Sequence, residues 1–438
     1  MNKRSLSYSL YRYLTTGLYY AVSPTYQVFR KSRGKSIPDM DQRLGDYDSP
    51  FSDRKNHQTI WIHAASVGEV NAANGILEKL LEILPDCRFI FSTTTKQGQA
   101  IAIQHFGKQL RCIYAPLDFI ASVRKALRFF LPDILVCIET EIWPNWFYEA
   151  HAMGIKTAIV NGRMSSRSIK NYLKFKSLFE TILQHVKAFS MIRDEDADRI
   201  KLLGAPAERV QVNGNAKYDR LIRYSIQDLK KKAYSLFHFS DQDRIFVAGS
   251  TRTHEEEIIL DAYEGICRTF PGTRLIIAPR HIERTPDIEK LMHRKGMAYQ
   301  LRTAITGDSP VSKIIILNTI GELQAAYSIA SAAFCGGSLV PLGGHNILEA
   351  AATGTPVFYG PHMDDFSDAR DLLETRGGGC TVKNAKDLME KMLDLFNNPS
   401  KAAEMGQKAI RAVASNQGAS EKHALVIKNI LYGHPPKP

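Results

Sequence analysis

The stretch Thr59-Ile-Trp-Ile-His-Ala-Ala-Ser-Val-Gly-Glu-Val70 passes from an apolar run through small residues into a helical pattern. The β-branched and aromatic residues of 59–63 predict a buried strand, and the helical spacing after them predicts a crossover helix. The same succession of strand, short turn and helix recurs along the chain. It is typical of a parallel sheet, because a parallel neighbour is reached only through a crossover connection.

Two series of apolar runs predict two sheets of this kind. A polar and basic stretch, residues 218–232, separates the two series. We therefore expect an α/β chain with two doubly wound, Rossmann-like domains, followed by a helical tail at 385–431. The predicted strands are 59–63, 88–92, 134–138, 156–160 and 188–192 in the first series, and 244–248, 274–278, 313–317, 332–335 and 356–359 in the second.

A chain of 438 residues suits two domains of about 200 residues each. We expect an N-terminal segment at 1–35, a first domain at 36–220 and a second domain at 221–438, whose last helices can cross back to the first. Ligands of doubly wound sheets bind at the carboxyl ends of the strands, and two facing domains would enclose a cleft. Residues that directly follow strands are therefore the candidates for function.

Composition excludes disordered, fibrous and repeat proteins, because 44% hydrophobic and 23% charged residues are ordinary values for a globular chain. The six cysteines stand singly, without Cys-x-x-Cys pairs or the spacing of a metal finger. We therefore expect reduced thiols in a cytosolic protein.

The formal net charge of +12 favours polyanionic partners, which include nucleic acid, an anionic membrane surface and phosphorylated substrates. Part of this charge flanks residues 13–29, an uncharged stretch that is short for a membrane span. We expect an interfacial anchor on anionic lipid, and a helix packed on the first domain is the alternative. No cleaved signal peptide is expected. The flanking basic residues are Lys3, Arg4, Arg12, Arg30, Lys31, Arg33 and Lys35.

A glycine-rich junction, Gly336-Gly-Ser-Leu-Val-Pro-Leu-Gly-Gly-His-Asn-Ile-Leu-Glu349, follows a predicted strand of the second domain and opens a helix. Glycines allow backbone N–H groups to approach a phosphate, and a helix N-terminus adds positive potential. Glu349 is placed to accept hydrogen bonds from ribose hydroxyls. The alternative is a glycine-rich turn that Asn346 caps.

Three further strand ends of the second domain carry polar groups. Ala278-Pro-Arg-His281 offers a guanidinium for a nucleotide phosphate, although a surface ion pair would also explain Arg280. Gly321-Glu-Leu323 starts a helix whose backbone can read a base edge, or is a plain helix start. Gly249-Ser-Thr-Arg252 repeats the pattern of strand, glycine and hydroxyl.

The first domain presents carboxylates and cations at several strand ends. Glu69 lies at the start of a helix, where complementing the helix dipole is the alternative to catalysis. Glu139-Thr-Glu-Ile-Trp-Pro-Asn145 places two carboxylates at another strand end, Asn161-Gly-Arg163 follows the next strand, and Gly214-Asn-Ala-Lys217 closes the domain. Such a concentration favours a catalytic face over unrelated helix caps.

The sequence contains no His, Asp or Glu arrangement with the spacing of a metal site. It also lacks the Walker motif and the Gly-x-Gly-x-x-Gly pattern, which argues against NTPase and NAD-dependent functions. We therefore expect neither a metal nor another cofactor.

In this order, the quoted motifs resemble the 3-deoxy-D-manno-octulosonic acid (Kdo) transferases of lipopolysaccharide synthesis, from about residue 40 to the C-terminus. The resemblance implies a GT-B fold, CMP-Kdo as donor and a tetra-acylated, bis-phosphorylated lipid A precursor as acceptor. It also implies attachment to the cytoplasmic side of a Gram-negative inner membrane through the N-terminal segment, and no nucleic-acid partner. That segment is more polar and richer in tyrosine than the usual anchor of the family.

The resemblance further implies roles for individual residues in an inverting transfer. Glu69 would be the general base, and Glu139 and Lys217 would stabilise the transition state. The residues that would hold CMP are Pro279, Arg280, Gly321, Glu322, Leu323, Asn346, Ile347, Leu348 and Glu349.

Two other functions fit parts of the sequence. A GT-B glycosyltransferase or epimerase that uses a UDP-sugar would share the glycine-rich junction and the ribose carboxylate. A non-enzymatic protein that binds polyanions, RNA among them, would explain the sequence pI of about 9.3. Only the motifs of the first domain favour the Kdo transferases over the first of these.

Overall fold

The computed structural model describes residues 3–33, 38–48, 57–219, 221, 225–306 and 311–433. The chain divides into two compact units. The first unit comprises Met1–Asp219 and Gln417–Pro438, and the second comprises Arg220–Asn416. The final segment of the chain therefore belongs with the first unit.

The first unit is built on a parallel sheet of seven strands among its described residues. They are β1 (Thr59–His63), β2 (Arg88–Thr93), β3 (Arg111–Tyr114), β4 (Ile134–Ile138), β5 (Lys156–Gly162), β6 (Ala188–Met191) and β7 (Val210–Val212). They stand in the order β3-β2-β1-β4-β5-β6-β7, so the order reverses between β1 and β4. Such a reversal leaves a crevice at the carboxyl ends of the two strands.

Helices alternate with these strands along the chain. They are α1 (Lys3–Arg33), α2 (Pro38–Arg43), α3 (Val67–Ile83), α4 (Lys96–Phe106), α5 (Ile120–Phe130), α6 (Pro144–Ala152), α7 (Ser166–Leu173), α8 (Lys176–Leu183) and α9 (Asp194–Leu203). Both faces of the sheet are buried beneath helices. Ile60 and Val136 belong to one core cluster, with α3, whereas Trp61 and Leu135 belong to another, with α5 and α6.

The second unit repeats the arrangement with another parallel sheet of seven described strands. They are β8 (Ile245–Thr251), β9 (Arg274–Pro279), β10 (Gln300–Leu301), β11 (Ile314–Ile316), β12 (Ala332–Cys335), β13 (Val357–Tyr359) and β14 (Gly379–Thr381). Their order is β10-β11-β9-β8-β12-β13-β14, which reverses between β8 and β12. The predicted α/β class, with two doubly wound sheets, is confirmed.

Eight described helices accompany the second sheet, and one more returns to the first unit. The eight are α10 (Ile226–Phe237), α11 (Glu255–Thr269), α12 (Thr285–Lys295), α13 (Leu323–Ser328), α14 (Leu348–Ala351), α15 (Ser367–Arg376), α16 (Ala385–Asn397) and α17 (Pro399–Ala414). The last helix, α18 (Ala419–Tyr432), packs against α3 and β5 of the first unit. The helical tail is thus confirmed, and none of the six cysteines forms a disulfide in the structure.

Helix α1 packs on the first unit through one face and exposes the other. The Tyr8 hydroxyl donates to Asn145 Oδ1 at 3.1 Å, and the Tyr11 hydroxyl donates to Asp118 Oδ2 at 2.7 Å. Burial of Asp118 raises its pKa to about 7. The exposed side chains include Leu6, Leu10, Tyr13, Leu14, Leu18, Tyr20 and Val28.

The expected membrane anchor therefore has a packed face and an apolar exposed face. Among the described residues, no helix has both the length and the hydropathy to span a membrane. Lys35 lies outside the described residues, as do the side chains of Lys3, Arg4, Arg30, Lys31 and Arg33. Attachment to a membrane stays a prediction.

Candidate active site

The candidate catalytic residues of the first unit follow two adjacent strands at the point where the strand order reverses. In the pairing of β1 with β4, His63 lies opposite Cys137. Glu139 directly follows β4, and Glu69 lies in the first turn of α3, after β1. Both carboxylates are thus placed at the carboxyl edge of the sheet, beside the crevice that the topology creates.

Glu69 makes hydrogen bonds similar to those of a capping box at the start of α3. Its Oε2 accepts from the backbone N–H of Ala65 at 2.7 Å, and its Oε1 accepts from the Ser66 hydroxyl at 3.0 Å. The Ser66 oxygen in turn accepts from the Glu69 N–H at 3.4 Å. The alternative to catalysis that the sequence offers for Glu69, a role at the start of the helix, therefore accounts for part of what this side chain does.

The pKa of Glu69 nevertheless departs far from that of an ordinary capping carboxylate. Burial, with the residue 8% exposed, and to a smaller extent the charge of Glu139 raise the pKa to about 8. The hydrogen bonds from Ala65 and Ser66 act in the opposite direction. Such perturbation in a crevice is typical of an acid or base that works near neutral pH.

Glu139 and Lys217 form an ion pair with 2.6 Å between Oε1 and Nζ. Glu139 has a φ of 59°, in the left-handed region that a residue with a Cβ rarely adopts. Strained residues of this kind cluster at functional sites, where the surrounding structure holds them. Glu141, two residues on, has its pKa raised mainly by burial.

The segment that carries Lys217 runs from β7 back across the ends of β6 and β5. The Asn213 N–H donates to Met191 O at 2.9 Å, at the end of β6. The Ala216 N–H donates to Asn161 Oδ1 at 2.8 Å, at the end of β5. These bonds hold the segment across the ends of β6 and β5. The ammonium of Lys217 thereby reaches the carboxylate of Glu139, which follows β4. The structure thus brings together the candidates Glu139 and Lys217, and places Glu69 within the electrostatic reach of Glu139.

In the second unit, the glycine-rich junction does not present its first N–H groups to a phosphate. The carboxylate of Glu255 accepts from the backbone N–H groups of Gly337, Ser338 and Leu339 at 2.6, 2.9 and 2.9 Å. It also accepts from Arg252 N at 2.9 Å. The expectation that these glycines bind phosphate is therefore wrong for this part of the junction, because an internal carboxylate already occupies the N–H groups.

The helix that the junction opens is also shorter than expected. Helix α14 has four residues, so its terminus contributes little of the dipole of a long helix. Asn346 precedes its N-cap residue, Ile347; its Oδ1 accepts from Leu348 N at 3.2 Å and its Nδ2 donates to Glu349 Oε1 at 3.3 Å. Ile347 and Leu348 are fully buried.

A cationic cluster lies at the ends of β8 and β9 and beside the junction. The Arg252 guanidinium donates to His345 Nε2 at 3.2 Å and contacts His281 Nε2 at 2.7 Å. Burial and, to a smaller extent, the charge of Arg280 lower the pKa of His345 to about 4. Sequence reasoning did not assign Arg252 or His345 to the site, although the motifs that contain them were quoted.

Arg280 follows Pro279, the buried last residue of β9, and its side chain is exposed. Within the described ranges its guanidinium has no carboxylate within ion-pair distance. Its charge does lower the pKa of Glu349, although burial, the larger effect, raises that pKa overall. A surface ion pair is therefore not what the structure shows at Arg280.

The segment Gly321-Glu-Leu323 is a structured helix start. Gly321 has a φ of 86°, and the Glu322 carboxylate accepts from the Thr319 hydroxyl at 2.6 Å and pairs with Arg302 at 3.1 Å. Leu323 lies at the end of β8, because a Cβ on Gly249 would come within 3.0 Å of its Cδ1. No hydrogen bond or ion pair of the described residues joins this segment to Arg280 or Asn346. Over the same ranges, no group of His, Cys, Asp and Glu has the geometry to hold a metal ion.

A family model described as 3-Deoxy-D-manno-octulosonic-acid transferase (kdotransferase) matches residues 39–220. A 3-deoxy-D-manno-octulosonic acid transferase of Haemophilus influenzae is 31% identical over 376 residues, which are 85% of this chain and 87% of that protein. The chain belongs to the Kdo transferase family. The resemblance seen in the sequence is thereby confirmed, and the chain is a glycosyltransferase of this family.

A further relative is much longer than this chain. A bifunctional glycosyltransferase/methyltransferase of Fusobacterium nucleatum is 33% identical over 412 residues, which are 92% of this chain and 62% of that protein. The chain thus spans less than two thirds of the length of this relative.

Solved structures of low sequence identity share the fold. A glycosyltransferase of Rickettsia africae aligns with a TM-score of 0.58 and 15% identity, over 86% of this chain and 99% of that one. A UDP-GlcNAc 2-epimerase of Neisseria meningitidis aligns with a TM-score of 0.59 and 13% identity, over 86% of this chain and 100% of that one. These alignments confirm the GT-B class and carry no information on the donor.

Proposed function

We propose that this protein transfers Kdo from CMP-Kdo to a lipid A precursor and inverts the configuration at the transferred carbon. The observation that carries the proposal is the grouping of Glu69, Glu139 and Lys217 at one edge of the first sheet, in a member of the Kdo transferase family. A base, a second carboxylate and a cation are what an inverting sugar transfer without a metal requires.

Glu69 is the proposed general base. In the reaction, an acceptor hydroxyl oxygen bonds to the anomeric carbon of Kdo while the bond from that carbon to the CMP phosphate oxygen breaks. The bonding electron pair leaves with CMP, and the hydroxyl proton passes to Glu69. With a pKa of about 8, the ionised Glu69 is a stronger base than an ordinary carboxylate.

Glu139 and Lys217 are proposed to stabilise the transition state. Positive charge develops at the anomeric carbon as its bond to phosphate breaks, and a carboxylate such as Glu139 opposes that charge. Lys217, held by Glu139 at 2.6 Å, offers its remaining N–H donors to anionic groups of the substrates. Because the pair is already in place, its charges do not have to be reoriented when the reaction occurs.

The second unit is proposed to bind CMP. The exposed guanidinium of Arg280 suits the phosphate, and the carboxylate of Glu349 suits the ribose hydroxyls. Arg252 adds positive charge to the phosphate region, and His345, whose Nε2 accepts from Arg252, adds a neutral imidazole with one N–H donor. The other proposed contacts to CMP come from Pro279, Gly321, Glu322, Leu323, Asn346, Ile347 and Leu348, of which Ile347 and Leu348 are fully buried.

Helix α1 is proposed to attach the enzyme to the cytoplasmic face of the inner membrane. Its exposed face carries large apolar side chains such as Leu10 and Leu14, which are 61% and 65% exposed. An apolar stripe next to basic residues is typical of a helix that lies in the interface of an anionic bilayer. Binding of this basic segment to anionic lipid would explain part of the positive net charge of the chain, so that part requires no nucleic-acid partner.

The direct test incubates the purified full chain with CMP-Kdo and the tetra-acylated lipid A precursor, and weighs the lipid product by mass spectrometry. We expect a mass increase of one or more Kdo units and release of CMP. UDP-sugars are the control donors, and protection against thermal unfolding by CMP is compared with protection by UDP. Transfer from a UDP-sugar, or stronger protection by UDP, would contradict the proposal.

A further inference from the structure

His423, on helix α18, is fully buried at the carboxyl edge of the first sheet. Its Nδ1 lies 2.7 Å from the Ser190 hydroxyl, at β6, and 3.4 Å from the N–H of Asn161, at β5. Its Nε2 lies 3.0 Å from the carbonyl oxygen of Gly214. One side chain near the end of the chain thus joins two strand ends to the segment that carries Lys217.

These partners define which nitrogen of His423 carries the proton. A carbonyl oxygen can only accept, so Nε2 must donate its N–H to Gly214. A backbone N–H can only donate, so Nδ1 must accept from Asn161 and, with the same lone pair, from the Ser190 hydroxyl. The imidazole is therefore neutral in this arrangement, and burial, which lowers its pKa to about 4, keeps it neutral.

The hydrogen bonds of His423 continue to Lys217 through a short path. Gly214 has a φ of 91°, which glycine adopts readily, and its carbonyl faces His423. Two residues later, Ala216 N donates to the side-chain oxygen of Asn161, whose own N–H points to His423. The segment is therefore held at two points, directly before Lys217 reaches Glu139.

We propose that His423 is a positioning residue that sets the place of Lys217 for sugar transfer. The proposal rests on the role of Lys217 given under the proposed function. His423 touches no reacting atom in this scheme, and acts by fixing the Gly214 carbonyl and the Asn161 backbone. Since α18 lies beyond the whole second unit in the chain, the catalytic cation depends on residues some two hundred positions away.

A buried histidine can also serve only to fill and satisfy the core. The two roles differ in what they predict for amide substitutions. His423→Gln places an N–H donor near the Nε2 position and can keep the bond to Gly214. His423→Asn places its amide near the Nδ1 position and loses that bond. A core-filling role predicts similar activity for both variants once both are folded.

The experiment measures kcat, KM for both substrates and the melting temperature for His423→Asn and His423→Gln. We expect kcat of the asparagine variant to fall roughly 10- to 100-fold, the cost of a small misplacement of a catalytic group, with KM for CMP-Kdo little changed. The glutamine variant should recover most of the loss. Ser420→Ala is the matched control on α18, because the buried Ser420 hydroxyl has no hydrogen-bond partner in the described structure. It should transfer at the wild-type rate.

A double-mutant cycle with Lys217→Met separates positioning from a general loss of structure. If His423 acts through Lys217, adding His423→Asn to the Lys217→Met enzyme should slow it by less than about twofold. An equal further fall in both backgrounds would overturn the positioning role. Wild-type turnover of Lys217→Met alone would instead refute the proposed function of Lys217, so the two failures are distinguishable.

Discussion

The ammonium nitrogen of Lys217 lies 2.6 Å from Oε1 of Glu139, and this ion pair connects the segment after β7 with the end of β4. Glu139 interacts with both of the other residues, because it pairs with Lys217 and its negative charge also raises the pKa of Glu69. The cation, the strained carboxylate and the proposed base are therefore one electrostatic unit. A change in any of them should alter the behaviour of the others.

Glu139→Gln tests this coupling. Without the negative charge, Lys217 loses its ion pair and the pKa of Glu69 should fall. We expect kcat to decrease roughly 10²- to 10³-fold, the cost of removing one transition-state interaction. The acid limb of the pH profile of kcat/KM should move to lower pH. Glu208→Gln, an exposed carboxylate of the same unit, is the control and should change neither quantity. An unshifted acid limb would contradict the coupling.

Arg280→Ala tests the proposed phosphate contact. Loss of a charge-assisted hydrogen bond should weaken CMP binding by about 1.5–3 kcal/mol, which is roughly a 10- to 150-fold rise in the dissociation constant. Isothermal titration calorimetry with CMP measures it. Arg411→Ala removes an exposed arginine of α17 in the same unit and should leave the constant unchanged. Equal constants for all three proteins would exclude Arg280 from the CMP site.

Glu255→Gln tests the internal carboxylate beneath the glycine-rich junction. The amide offers N–H donors where the wild type accepts from backbone N–H groups, so at least one buried donor loses its acceptor. We expect a loss of about 1–3 kcal/mol in the free energy of unfolding, measured by denaturant titration. Glu257→Gln, in the same turn of α11 but exposed, should stay within about 0.5 kcal/mol. If Glu255→Gln has normal stability but binds CMP more weakly, this part of the junction binds phosphate after all.

The sequence predicts the central strands of both sheets and misses their edges. β4 and β12 match their predicted bounds, because strands buried on both faces read as continuous apolar runs. The four strands that were not predicted are β3, β7, β10 and β14, and each is the outermost strand of its sheet. An edge strand is partly exposed and short, so its residues lack the apolar run that would reveal it.

The candidate site shows a similar division. Carboxylates and cations that directly follow strands, such as Glu139, were predictable because topology places strand ends together. His423 was not, since it comes from a helix that returns after the whole second unit, and a lone histidine in a helical stretch carries no signal. Glu255 was not predictable either. A carboxylate in the first turn of a helix reads as a cap, and only the fold brings it to the glycine-rich junction.

Helix α1 allows a more selective membrane test than truncation. Deleting residues 1–35 would also remove Tyr8 and Tyr11, which hydrogen-bond to Asn145 and Asp118. The double variant Leu10→Gln, Leu14→Gln changes only exposed side chains. We expect reduced sedimentation with anionic vesicles, because buried apolar area drives interfacial binding, with unchanged melting temperature and CMP affinity. Wild-type sedimentation of the double variant would show that this face does not contact lipid.

Glu69 offers the sharpest test, because its two roles predict different outcomes. As a base it must be ionised, so kcat/KM should rise with pH and level off above about 8, the pKa that burial and Glu139 produce. Ser66→Ala removes a hydrogen bond that lowers this pKa, and should move the acid limb to higher pH. Since the folded-state pKa lies above the ordinary 4.5, the contribution of Glu69 to stability is full below pH 4.5 and is lost as the pH rises through 8.

Glu69→Gln keeps the size of the side chain and abolishes the base. We expect transfer to fall roughly 10²–10⁴-fold, the usual contribution of a positioned general base, with CMP affinity unchanged. The acid limb near pH 8 should disappear from the residual activity. Glu78→Gln, exposed on the same helix, is the matched control and should transfer normally. If Glu69 only caps α3, its glutamine variant should lose less than about 1 kcal/mol of stability and keep near-normal turnover, and that result would remove Glu69 from the catalytic group.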